Sequence, residues 1–172
     1  MRLLLSCLLI IITFLAPSGA QEMHGGYLVQ TAITSESYQI TNPQELQSFV
    51  VMLPKVTPFK TLPATPNPDP FLTGYTPNFE ENILVVATGR DRIEQPPVFQ
   101  GVEFLSDGTR LVKFFLPERL SPTYPYGWAV YTGVVLPRTD GMTRVVVTTT
   151  EPMKESDDFQ RADFQRAKFK RL

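Results

Sequence analysis

The sequence predicts an α+β fold, in which a curled, mostly antiparallel sheet packs on one N-terminal capped helix and carries a long proline-rich arm. Three observations lead to this prediction. One early segment, "TNPQELQSFVVMLP" (41–54), has helical periodicity, and most later segments have strand composition. Between them lies a run with seven prolines in 24 residues (54–77). Strands gathered around a single helix are typical of an α+β domain.

The helix is the most clearly marked element. Asn42 is a good N-cap, Pro43 suits the first helical position, and Glu45 stands three residues after the cap. Pro54 ends the segment. Four apolar residues follow at i, i+3, i+4 and i+7, which predicts one stripe facing a core: Leu46, Phe49, Val50 and Leu53.

The proline-rich run, Pro54–Pro77, is predicted to be neither helix nor ladder strand, because each proline lacks a donor and constrains the residue before it. Its large apolar residues distinguish it from a bare linker: Phe59, Leu62, Phe71, Leu72 and Tyr75. We therefore predict an extended arm laid across the domain surface. A polyproline-type motif for a partner is the alternative.

The first predicted strand is "YLVQTAI" (27–33), which "SYQI" (37–40) extends or restarts, whereas the polar, glycine-rich residues 21–26 are expected to fray. A near-continuous apolar run, "NILVVATG" (82–89), predicts a central strand covered on both faces.

Two hairpins are predicted after this strand. Asp107 and Gly108 separate "VFQGVEFL" from "TRLVKFFLP" and suit a two-residue hairpin turn. In the second strand of this hairpin, every other residue is apolar, and the side chains of this set should point inward: Val112, Phe114 and Leu116. "GWAVYTGVVLP" and "TRVVVTTT" flank "RTDGM" and predict the second hairpin.

The chain is predicted to comprise a signal peptide (1–20), a single domain (21–150) and a charged, partly helical or disordered tail (151–172). Arg2 precedes a fourteen-residue apolar run, and the small residues Ser18 and Ala20 mark a cleavage site. The run is shorter than the roughly 20 residues that span a bilayer, so we expect secretion or a periplasmic location without a membrane span. The tail repeats "DFQRA" at 158–162 and 163–167; a docking peptide is its alternative interpretation.

Composition restricts the possible chemistry. Of 16 basic and 17 acidic residues, cleavage removes Arg2 and leaves 15 against 17, a net charge of −2, which argues against a nucleic-acid partner. Cleavage also removes Cys7, the only thiol, and leaves His24, expected to be solvated, as the only imidazole. The mature sequence therefore has no cysteine nucleophile, and one histidine with no cysteine makes a poor set of zinc ligands. It also has no glycine-rich phosphate loop. The sequence predicts a non-enzyme without metal or cofactor.

An aromatic run, "SPTYPYGWAVYTG" (121–133), is the candidate binding surface, although packing is the favoured interpretation for its tryptophan. The candidate surface combines this run with the arm: Tyr124, Tyr126, Trp128, Phe71 and Tyr75. We expect a protein partner in the cell envelope or outside the cell. The alternative is a carbohydrate-binding or hydrolytic envelope protein, in which Tyr126 and Trp128 flank a cleft with acids such as Glu94 and Glu118.

The order of segments resembles a family of small bacterial secreted β-domains named for the C-terminal domain of a protease-complex inhibitor. The resemblance rests on a short helix "NPQELQSFV", an entry "NFEENILVVATGR", a hairpin "VEFLSDGTRLVKFFLP" and a closing strand pair "YTGVVLPRTDGMTRVVV". After "VVATGR" the family commonly carries a threonine–glycine–glycine–aromatic turn, where this chain has "DRIEQPPVF". The resemblance implies a secreted β-domain that binds a protein, in the manner of an inhibitor.

The signal-peptide prediction is tested by the N-terminus of the exported protein. We expect mass analysis to find Gln21, or its cyclised form, as the first residue, because Ser18 and Ala20 supply the small side chains that signal peptidase reads. An intact Met1 in the membrane fraction would contradict both the cleavage and the location.

Overall fold

The computed structural model describes residues 21–59, 62–89, 95–117 and 127–149. The predicted signal peptide and the whole of the predicted tail lie outside these residues. The described chain is mostly β, with one α-helix, α1 (Pro43–Val50), and strands in two sheets. The strands are β1 (Met23–Val29), β2 (Ser37–Ile40), β3 (Asn82–Thr88), β4 (Val98–Phe104), β5 (Arg110–Phe115), β6 (Trp128–Pro137) and β7 (Thr143–Thr148).

The two sheets pack face to face, so the prediction of one curled sheet is wrong. The first sheet has the order β1-β6-β3-β2 with antiparallel neighbours, and the second has the order β4-β5-β7, in which β5 and β7 are parallel. Apolar side chains of β3 and β6 meet those of β5 in one core cluster: Ile83, Val85, Ala87, Val112, Phe114, Val134 and Leu136. Inward-facing strand residues look alike in one sheet or two, because the alternation records only that one face is buried.

Helix α1 and part of the proline-rich arm cover the opposite face of the first sheet. Their core cluster contains helix, arm and strand residues: Leu28, Ile40, Leu46, Phe49, Leu53, Phe71, Phe79, Leu84, Val86 and Tyr131. The described domain therefore has three layers: helix and arm, first sheet, and second sheet.

The predicted helix start is confirmed. The Asn42 side-chain oxygen accepts a hydrogen bond from the Glu45 amide at 2.9 Å. The Glu45 carboxylate accepts one from the Thr41 amide at 2.6 Å, and this bond holds the pKa of Glu45 below its usual value. The stripe also packs as predicted, since Leu46, Phe49 and Leu53 are buried, with Val50 partly buried against the same cluster.

Strand β3 is the predicted central strand. It lies between β2 and β6, and its successive residues alternate between the two core clusters. Leu84 and Val86 face the helix layer, while Val85 faces the second sheet. Burial on both faces explains why the segment reads as a near-continuous apolar run.

The first predicted hairpin is confirmed, but its loop is one residue longer than expected. The Leu105 amide donates to the Thr109 carbonyl at 2.8 Å, so the pair closes a three-residue loop. Gly108 has a φ of +82°, the left-handed position that such loops give to glycine. Beyond the loop, β5 buries the predicted alternate set: Val112, Phe114 and Leu116.

The second predicted hairpin is wrong. Strand β6 pairs with β1 and β3, whereas β7 pairs in parallel with β5 of the other sheet. The "RTDGM" segment therefore crosses from one sheet to the other. The local turn signal is the same for a hairpin and for a crossover. Strand β6 instead takes a central place, because side chains on both of its faces are buried.

The expectation that residues 21–26 fray is also wrong, since β1 begins at Met23 and pairs along its whole length with β6. Gly26 has a packing role in this strand. A Cβ atom there would collide with the Asp69 carboxylate and come within 3.0 Å of the Tyr131 ring. Glycine allows the arm to lie directly against the strand at this point.

Phe49 tests whether the helix layer is needed for stability. Its ring centroid lies 5.1 Å from that of Tyr131 and 5.9 Å from that of Phe71, and its side chain is buried. We expect Phe49→Ala to lower the free energy of unfolding by about 3–5 kcal/mol in denaturant titrations. Val51→Ala, at a position that is 76% exposed, is the control and should change little. Equal midpoints for both variants would show that the helix does not dock.

Candidate functional site

The proline-rich arm closes on itself at its base. We call residues 54–67 the arm loop, of which Lys60 and Thr61 lie outside the described residues. The Asn67 side chain donates a hydrogen bond to the Pro54 carbonyl at 2.8 Å, and the Asn67 backbone N–H donates one to the Lys55 carbonyl at 3.0 Å. The Thr57 amide donates to Thr65 at 2.9 Å. The non-proline residues thus supply the bonds that prolines cannot, and they fix the two ends of the loop side by side.

The segment that follows, residues 69–75, ties the arm to the first sheet; we call it the arm turn. Asp69 is buried, and one carboxylate oxygen accepts from the Phe71 amide at 3.0 Å. The other oxygen accepts from the Tyr131 hydroxyl at 2.6 Å. Tyr131 belongs to β6, so this bond joins the arm to a central strand.

Burial dominates the electrostatics of this bond. Desolvation raises the pKa of Asp69 above its usual value, while the hydrogen bonds from Tyr131 and Phe71 oppose that rise. Desolvation and the neighbouring Asp69 carboxylate also raise the pKa of Tyr131 far above that of free tyrosine, which keeps its hydroxyl a proton donor.

An aromatic cluster surrounds His24 where β1 meets the arm turn. The His24 ring centroid lies 5.2 Å from that of Phe71 and 4.6 Å from that of Tyr75. The Tyr75 hydroxyl donates to Glu22 at 2.5 Å; burial, followed by this bond, raises the pKa of Tyr75 to about 12. These contacts bury aromatic side chains that the sequence placed on a binding surface.

His24 is packed rather than solvated, contrary to expectation. Its side chain is 11% exposed, and its Nε2 lies 3.4 Å from a Glu22 oxygen without a hydrogen-bond partner among the described residues. The His24 ring therefore packs against Phe71 and Tyr75.

The predicted surface residues do not form one surface in the described chain. Phe71 is buried in the helix-side core, so its assignment to a surface is wrong, and Tyr75 is half-buried beside it. Trp128 is half-buried at the start of β6, opposite Val29. His24 lies opposite Gly133, five positions further along β6, or about 16 Å at strand spacing. Tyr124 and Tyr126 lie outside the described residues.

The arm loop carries a different set of apolar side chains into solvent. Leu62 is fully exposed, Phe59 is 52% exposed and Val56 is 41% exposed. The Phe59 ring contacts that of Tyr27 on β1, at a centroid distance of 6.3 Å. We call Val56, Phe59 and Leu62 the arm tip. In the sequence, Phe59 and Leu62 stand out only as large apolar residues that are unusual in a linker. No local signal distinguishes these exposed residues from the buried Phe71.

The described residues contain no group of three or more histidine, cysteine or acidic side chains placed to hold a metal ion. Glu103 forms an ion pair with Lys113 across the first hairpin. Glu94 and Glu118, the acids considered for a hydrolytic cleft, lie outside the described residues. No helix in the described part of the chain is long and apolar enough to cross a membrane.

Comparison of the chain with protein-family models, curated proteins and solved structures found no match.

The bond between Asp69 and Tyr131 predicts a stability change that depends on pH. The folded-state pKa of Asp69 lies above its unfolded value, so its contribution is fully present below the unfolded pKa and is lost as the pH rises through the folded pKa. Tyr131→Phe removes a donor to the ionised carboxylate and should destabilise the fold by about 1–3 kcal/mol at neutral pH. The loss should shrink in acid, as the pH falls through the folded pKa and Asp69 becomes protonated.

Denaturant titrations of both proteins at neutral and acidic pH measure this difference. Tyr38→Phe, which removes a hydroxyl bonded to the exposed Thr34 amide, is the matched control and should show no such pH dependence. A Tyr131→Phe loss that is constant with pH would contradict the role assigned to ionised Asp69.

Proposed function

We propose that this chain is an exported, non-enzymatic domain that binds a protein partner in the cell envelope or outside the cell through the arm tip. The observation that carries the proposal is the fully exposed Leu62, with the exposed Phe59 and Val56 on the same loop, whose base is closed by hydrogen bonds. Several large apolar side chains exposed on one loop are typical of a recognition surface.

The physical gain on binding comes from removing these side chains from water. Removal of apolar side chains from water is favourable, and a few buried side chains often carry most of the binding energy, so enclosing one leucine and one phenylalanine can dominate a small interface. The closed base lowers the opposing entropy term, because hydrogen bonds already hold the two ends of the loop side by side before it meets its partner. Asn67 supplies two of the bonds that hold this base.

The resemblance to the inhibitor-named family supports an inhibitor-like mode of binding, in which a held loop inserts into a partner. The apolar N-terminal run and its small-residue cleavage site support export, to the periplasm or beyond. A net charge of −2 after cleavage favours a protein over a nucleic acid as the partner, because phosphate recognition requires clustered positive charge.

The arm tip is tested with the double variant Phe59→Ser/Leu62→Ser. The matched control is Val98→Ser/Phe104→Ser, which removes side chains of similar size that are 51% and 63% exposed on β4. Tagged mature proteins are used to recover partners from the native envelope, and the binding is then repeated with the purified partner. We expect the arm variant to weaken the affinity at least about tenfold, as loss of a central apolar contact does, while the control binds like wild type.

Melting curves of both variants establish that the domain remains folded, since these side chains lie outside the core clusters. Equal loss of binding in the two variants, or undiminished binding by the arm variant, would contradict the proposal. Binding of an envelope polysaccharide that survives the arm substitutions would favour the carbohydrate-binding alternative.

A further inference from the structure

Strand β7 forms an edge of the second sheet among the described residues, with β5 on one side and no strand on the other. The Arg110 amide donates to the Met142 carbonyl, and the Leu116 amide donates to the Thr148 carbonyl. In a parallel ladder with this register, alternate residues bond to the neighbour and the intervening ones point away from it. Thr143, Val145 and Val147 therefore turn their backbone amides and carbonyls towards the edge.

The other described edges are interrupted or short. Strand β4 has an irregularity between Phe99 and Gly101, and β2 has only four residues. On strand β1, the Val29 amide donates a hydrogen bond to the Met52 carbonyl, and the arm turn packs against the strand at Gly26. Features of this kind usually prevent further strand addition.

Strand β7 has none of these features. It is six residues long, contains no proline, and keeps an unbroken register with β5. Gln39 of β2 donates to the Thr143 carbonyl at 3.0 Å, which occupies the first position of the edge. Val145 and Val147 remain as the positions at which another strand can pair.

We propose that β7 pairs antiparallel with β7 of a second copy of this chain, with Val146 opposite its own symmetry mate. In this register Val145 stands opposite Val147 of the second copy, and the two residues exchange backbone hydrogen bonds. Arg144, the only charged residue of the strand, stands opposite Thr148, so no like charges face each other.

The cores of the two copies also favour this pairing. Val145 and Val147 pack against the cluster between the sheets, so they face the interior side of β7. Pairing places these residues next to their counterparts and continues the apolar layer from one sandwich into the next. A two-fold axis closes the contact after two copies, because each β7 offers a single edge. The arm tip takes no part in this contact, so the proposal stands independently of the proposed function.

Substitution of Val146 by residues of opposite charge tests the pairing in the mature, full-length chain. Val146 is 36% exposed, and we expect Val146→Lys to place two ammonium groups opposite each other. Sedimentation equilibrium should show a wild-type dimer, with the dissociation constant raised at least tenfold by Val146→Lys and likewise by Val146→Glu. An equimolar mixture of the two variants should restore a dimer containing one of each. Val98→Lys on the β4 edge is the control and should leave the dimer intact.

A wild-type chain that stays monomeric up to about 1 mM, the concentration at which even weak contacts are seen, would overturn the proposal. So would a dimer that survives Val146→Lys, or one that Val98→Lys dissociates equally. Dissociation by Phe59→Ser/Leu62→Ser would instead assign the dimer contact to the arm tip and would also overturn it. Unchanged melting of the Lys and Glu variants distinguishes lost pairing from lost folding.

Discussion

Strands β3 and β6 are buried on both faces, and the layered arrangement of the described residues follows from this burial. Successive residues of each strand point to opposite faces, and both faces carry apolar side chains. The first sheet therefore needs a covering layer on each side. The second sheet covers one face, and helix α1 together with the arm turn covers the other. A single helix of eight residues is too small to cover a four-stranded sheet alone. The proline-rich segment therefore belongs to the core as well as to the surface.

The arm turn joins this cover by a polar contact as well as an apolar one. Phe71 packs in the helix-side core, while Asp69 accepts a hydrogen bond from the hydroxyl of Tyr131 on a central strand of the sheet. The buried carboxylate is costly to ionise, but its bonds satisfy both oxygens and fix the direction in which the arm leaves the sheet. Gly26 makes room for this contact. These bonds hold the arm turn, which directly follows the arm loop, against the first sheet.

Two described surfaces follow from this arrangement, and they differ in kind. The arm tip presents side chains, and its interaction with a partner would be governed by shape and apolar area. The β7 edge presents backbone groups, and its interaction would be governed by register and by which residues stand opposite one another. Because they belong to different layers, substitutions can separate them, and one protein can use both.

Elements whose signals are local could be predicted from the sequence. Asn42 and Glu45 mark the helix start because capping bonds join residues three or four apart, and the apolar run of β3 marks a strand covered on both faces. Gly108 marks the first hairpin in the same way. Three other features could not be predicted: the strands form two sheets, β6 and β7 belong to different sheets, and Phe71 is buried while Leu62 is exposed. These outcomes depend on contacts between residues far apart in the chain, such as Asp69 with Tyr131, and a side chain's local sequence does not reveal which distant surface will cover it.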